Sequence, residues 1–192
     1  MAETKPLERT HPKSRSEWRR WLQRNHATSP GVWLVSYKKA TGKARIEYDE
    51  MVEEGLCFGW VDSKAATLDE ERSMLTFTPR NPKSAWSKSN KERVARLTDE
   101  GRMAQAGLDA VAIAKRNGAW TALDSVEALK IPPDLATALA TNKKAKAYFG
   151  AFPPSSKKII LWWIESAKRE ATREKRISET VRLAAQNIRA NH

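Results

Sequence analysis

A chain of 192 residues, 40% hydrophobic and carrying eight tryptophans, has the apolar mass for a real core, which excludes global disorder. Its one cysteine excludes an intrachain disulfide and fits a reducing compartment, and its longest apolar run, residues 159–164, is far too short to span a bilayer. The net charge of +12 gathers at the ends, with 11 basic against 6 acidic residues in 1–50 and 9 against 4 in 151–192, a balance that favours encounter with polyanions.

The first dozen residues are polar, proline-containing and aperiodic, without the apolar stretch of a signal peptide. They predict a disordered tail over 1–13 and a cytoplasmic protein. Ser14 with Glu17 reads as a capping box, and Trp18, Trp21, Leu22 and Asn25 recur at helical spacing up to the Ser29-Pro30-Gly31 turn. GVWLVSYKK (31–39) reads as a strand with apolar groups on both faces, hence a central one. Residues 48–57 place Met51, Val52, Gly55 and Leu56 on one helical stripe. The runs 60–68 and 72–79, joined by Asp69-Glu70-Glu71, predict an antiparallel hairpin. Ser84 is the expected cap of a helix from about 85 to 100, and a second helix spans about 104–117. After an irregular stretch, short helices run from Pro132 to Phe149, then 157–168, then a longer helix to about Ala190. The expected fold is α+β: a small, mostly antiparallel sheet with flanking helices over 14–118, followed by a helical part over 119–192 packed with it as one unit.

The densest chemistry lies between Cys57 and Arg93. Trp60 and Asp62 share one face of the hairpin by the two-residue period, and Trp86, Asn90, Arg93 and Leu97 share one face of the expected helix. Arg80, leaving the second strand beside Pro79, can pair with a carboxylate or grip an anionic ligand. Two readings stay open. One is a satisfied polar network; the other is a ligand pocket walled by Trp60, Trp86 and Phe77, with Asp62, Arg80, Ser87, Asn90 and Arg93 as polar contacts. Asp62 or Glu54 would be the general base if there were catalysis, with Arg80 beside Asp62, but no second titratable partner stands at a defined spacing. Cys57, between Leu56 and Phe58, reads as a small buried hydrophobe. Three scattered histidines and one cysteine give no metal spacing, no nucleotide-binding loop occurs, and no cofactor is expected. Near the C-terminus, Lys168, Lys175, Arg182 and Arg189 repeat every seven residues and would form a basic ridge on a continuous helix, a candidate nucleic-acid or anionic-membrane contact.

With these residues on view, the chain resembles the YdeI/OmpD-associated family of bacterial proteins, also described as bacteriocin-protection proteins. The resemblance rests on Gly59-Trp60 with Asp62, Phe77 with Pro79-Arg80, and Ser84-Ala85-Trp86-Ser87 followed by Asn90 and Arg93. It continues through Trp162-Trp163-Ile164, Ala167-Lys168, Arg176-Ile177 and Leu183-Ala184, and so covers roughly residues 14–190. It implies a role in stress or bacteriocin tolerance and no particular reaction or catalytic residue. The expectation is therefore a module that binds a small anionic ligand or a protein partner, more a receptor than an enzyme. Nucleic-acid binding through the basic ends is the alternative.

Overall fold

Ser14 opens helix α1 (Arg15–Asn25) by accepting the Glu17 N–H, while the Glu17 carboxylate accepts the Lys13 N–H. Trp18 and Leu22, one turn apart on this helix, are fully buried. The computed structural model describes residues 6–191 and divides into two compact units, with the boundary between Thr121 and Ala122.

In the first unit, β1 (Glu8–Thr10), β2 (Val32–Tyr37), β3 (Trp60–Thr67) and β4 (Arg72–Pro79) form one sheet in the order β1-β2-β4-β3. The β2–β4 and β3–β4 pairs are antiparallel, as expected, and β1 adds a parallel pairing to β2. The tail expected to be disordered thus contributes a strand, which backbone pairing to Val32–Leu34 holds without any side-chain alternation. Residues 1–5 of that expected tail lie outside the described residues. Asp69 closes the hairpin turn by accepting the N–H groups of Glu71 and Arg72 and pairing with the Arg72 guanidinium. Between Asp62 and Ala65 the β3–β4 register shifts, a bulge that bends the outer strand.

Helix α2 (Tyr48–Cys57) is the hub of the unit, packed on α1, β3, α3 (Lys88–Asp99) and α4 (Gln105–Arg116). Such all-round cover explains why Met51 through Cys57 are all buried, Glu53 and Glu54 included. Helix α3 starts three residues later than Ser84 predicts. Ser87 is the cap, accepting the Asn90 N–H, because the Trp86 N–H is taken by the Ala119 carbonyl and Trp86 stays in extended chain. Trp86 and Asn90 therefore do not share a helical face.

The second unit is helical: α5 (Asp124–Glu127), α6 (Pro133–Ala140), α7 (Lys143–Ala151), α8 (Pro154–Glu165) and α9 (Glu170–Ala184). Leu135, Phe149, Ile160, Ile164, Ile177 and Ala184 meet in its core. The expected basic ridge does not form, because it needs one continuous helix. Lys168 precedes α9 and Arg189 follows its end, which leaves Lys175 and Arg182 on it. The adjacent indoles divide as their 100° separation requires: Trp162 is exposed, while Trp163 is half-buried under the Arg176 guanidinium, 5.2 Å from its ring centre.

Candidate functional site

The expected pocket walls are core. Phe77, Trp60 and Trp86 are 0%, 1% and 1% exposed, and each packs against another aromatic ring, Trp86 against Trp120 at 5.1 Å. Trp18 meets Phe77 edge-on at 5.3 Å, Trp21 meets Trp60 edge-on at 5.7 Å, and Trp60 donates its Nε1–H to the His26 carbonyl.

The polar residues come together in part. Arg93 donates to Asn90 Oδ1 and, at 2.6 Å, to Asp49 Oδ1 in the first turn of α2. Asp62 accepts the hydroxyl of Tyr48, the residue before Asp49, at 2.9 Å. Ser87 is spent as a helix cap. Arg80 stands apart from this set. Its guanidinium carbon sits 3.9 Å from the centre of the Trp86 ring and its Nη2 donates to the Ala85 carbonyl, but its buried Nε and Nη1 have no acceptor. Burial lowers its pKa and the Asp62 charge opposes that shift; a guanidinium stays charged regardless.

An open cleft does exist beside this network, on the far side of Tyr48. It encloses about 210 Å³ between the sheet and the start of α2, floored by Leu34, Met51, Met74 and Leu75, with Ala65 on its β3 side. Four polar residues line it: Ser36, Arg45, Tyr48 and Ser73. Arg45 is held by the exposed Glu47 through Nε and Nη2. The Ser36 hydroxyl makes only two long contacts, 3.5 Å each, to the Tyr37 and Ile46 carbonyls. Burial and the Asp62 carboxylate push the Tyr48 phenol up, so it stays a neutral donor. An apolar floor with a few polar groups at its edge is the composition of a small-molecule site. No local pattern in the chain signals this cleft, because its lining is gathered from β2, α2, β3, β4 and Arg45.

A second cluster also escapes sequence reasoning. Glu54, 1% exposed, accepts from Arg15, Arg19 and Arg102, and Glu53 accepts from Arg15 and Arg96. Burial alone would push the Glu54 carboxyl up, but Arg15 and Arg19 more than offset this and hold it below the usual carboxylate range. A carboxylate so held is a poor general base. The neighbouring Cys57 thiol is fully buried, and burial together with the Glu54 charge pushes it up, away from the reactive thiolate. Among the described residues no group of three His, Cys, Asp or Glu side chains is placed to hold a metal ion, and no helix is long and apolar enough to cross a membrane.

Two family models match the chain. Residues 10–110, just over half of it, match a domain of unknown function (DUF8412), and residues 128–187 match the family described as bacteriocin-protection, YdeI or OmpD-associated. The second match supports the resemblance drawn from the sequence, but over the helical unit alone; the motif from Gly59 to Arg93 falls inside the first match. No curated protein and no solved structure matches the chain.

Proposed function

We propose a small-ligand-binding role for this chain, which belongs to the DUF8412 domain family through residues 10–110 and carries a bacteriocin-protection, YdeI or OmpD-associated segment at 128–187. The observation that carries the reading is the cleft beneath Tyr48. Its floor is apolar, and Ser36, Ser73, Arg45 and Tyr48 place two hydroxyls, a guanidinium and a phenol oxygen at its edge. A ligand of matching shape has a small apolar body and one acidic or hydrogen-bonding end. The site lies next to Asp62 and not between the indoles. A link to bacteriocin tolerance rests on the description of the family matched by residues 128–187, and the lone reduced, buried Cys57 fits work in the cytoplasm.

Ala65→Phe tests this by filling the cleft from an exposed strand position. With 4-fluorobenzoate as probe, the wild-type protein should broaden the fluorine resonance saturably, and the variant should not. A surface substitution of this kind should move stability by no more than about 0.5 kcal/mol. Absence of saturable broadening with the wild type, or equal broadening with Ala65→Phe, refutes the reading.

A further inference from the structure

Every other part-buried arginine of the first unit lies against a carboxylate: Arg15 on Glu53, Arg19 and Arg102 on Glu54, Arg45 on Glu47, Arg72 on Asp69 and Arg93 on Asp49. Arg80 breaks this pattern. Two of its three guanidinium nitrogens are buried without an acceptor, and among the described residues no carboxylate comes within ion-pair distance of it. Burying cationic donors without acceptors is costly, and a bound anion would supply both the acceptors and the charge. The alternative offered by the sequence, pairing with a protein carboxylate, is thereby excluded.

The surroundings hold the cation in place, and Asp62 acts on its charge only from beyond ion-pair distance. The Trp86 ring fixes the guanidinium plane from one side. The Arg80 N–H is anchored on the Gly59 carbonyl, so the residue cannot slide along the strand. The stretch 81–85, neither helix nor strand, is tied to the guanidinium by the Ala85 carbonyl and to the end of α4 by the bond from Asn117 to the Pro82 carbonyl. Asn81, Pro82 and Lys83 in that stretch are exposed. An anion reaches the two enclosed donors only if a neighbouring segment such as this one shifts, and Lys83 on it would bring a second cation.

We infer that Arg80 is the cation of an oxyanion site between the end of β4 and the segment 81–85, taking a carboxylate or phosphate group. This site is separate from the cleft beneath Tyr48, and neither inference needs the other.

The test is thermal unfolding with inorganic phosphate, acetate or chloride titrated at fixed ionic strength. Wild-type protein should show a saturable rise in Tm with phosphate or acetate and none with chloride; the anion that saturates at lower concentration identifies the group. Arg80→Met should lose the saturable rise while keeping its starting Tm, because methionine can rest on the same indole. A rise of the same size in Arg80→Met, or a rise that never saturates, means that the anion acts on the +12 surface at large and overturns the assignment. If the variant does not fold, the Arg80 Nε–H resonance of the wild-type protein decides the matter: it should move with the anion, and a fixed resonance refutes the site.

Discussion

Glu54→Ala should lower the melting temperature of the protein at neutral pH by about 6–20 °C, corresponding to a loss of about 3–5 kcal/mol. The side chain is almost wholly enclosed and is the meeting point of Arg15, Arg19 and Arg102. Removing it leaves three part-buried guanidiniums, with Glu53 to answer Arg15 and Arg102 and Glu100 to answer Arg102. The pH dependence carries the same signature. Because the folded-state pKa of Glu54 lies below its unfolded value of 4.5, its contribution is complete above that pH and is lost as the pH falls through the folded value. Calorimetric scans from neutral pH downward should therefore show the gap between wild type and Glu54→Ala holding steady to about pH 4.5, then closing as acid protonates the wild-type carboxyl. A gap under about 1 kcal/mol at neutral pH, or one that persists unchanged at pH 2, would show that the arginines are stabilised by water instead.

Some of this is legible in the residues themselves. The apolar run 32–35 marks a central strand, and Asp69-Glu70-Glu71 between two alternating runs marks the hairpin. Both signals are local, and both elements form as expected. Local signals also mislead. Ser84 and Ser87 are equally good caps three residues apart, and the choice between them is made by the distant Ala119 carbonyl, which takes the Trp86 N–H. The seven-residue basic repeat is real in sequence, but residues 166–169 interrupt the helix that would align it. Glu54 reads as a possible base along the chain, and its role as a buried anion is hidden there because its partners lie 35–48 residues away. The stripe of Met51, Val52, Gly55 and Leu56 leaves Glu53 and Glu54 on what reads as the solvated face, and only the packing of the flanking helices covers them.

Gly107→Ala should be the most damaging single methyl addition in the first unit, and the same change at Gly150 should stabilise. Both glycines sit in helices, where alanine is intrinsically favoured by up to about 1 kcal/mol. Space decides the sign. A Cβ on Gly107 would fall inside the Cys57 carbonyl oxygen, 2.8 Å from its carbon and 2.8 Å from the Leu56 carbonyl oxygen. Those atoms are backbone at the C-terminal end of α2, so no side chain can turn aside. The first turn of α4 is pinned at the same place by the Ala104 N–H on Cys57 O, and Gly59, at a φ of 71°, passes 3.0 Å from the Ala106 oxygen at its own would-be Cβ. The contact between these two helix ends is backbone against backbone, and alanine must push them apart at a cost of about 3 kcal/mol or more, against the small propensity gain. Around Gly150 nothing lies within 4 Å, and Gly150→Ala should gain about 0.5–1 kcal/mol. Denaturant midpoints of the two variants check both signs, and a neutral Gly107→Ala would show that the helix ends can separate freely. The two large effects should also interact: Arg102 reaches Glu54 from the segment that leads into α4, so displacing α4 already loosens that ion pair. The double variant Glu54→Ala, Gly107→Ala should then lose less than the sum of the two single losses, whereas strict additivity would mean that the charge cluster and the helix contact are held independently.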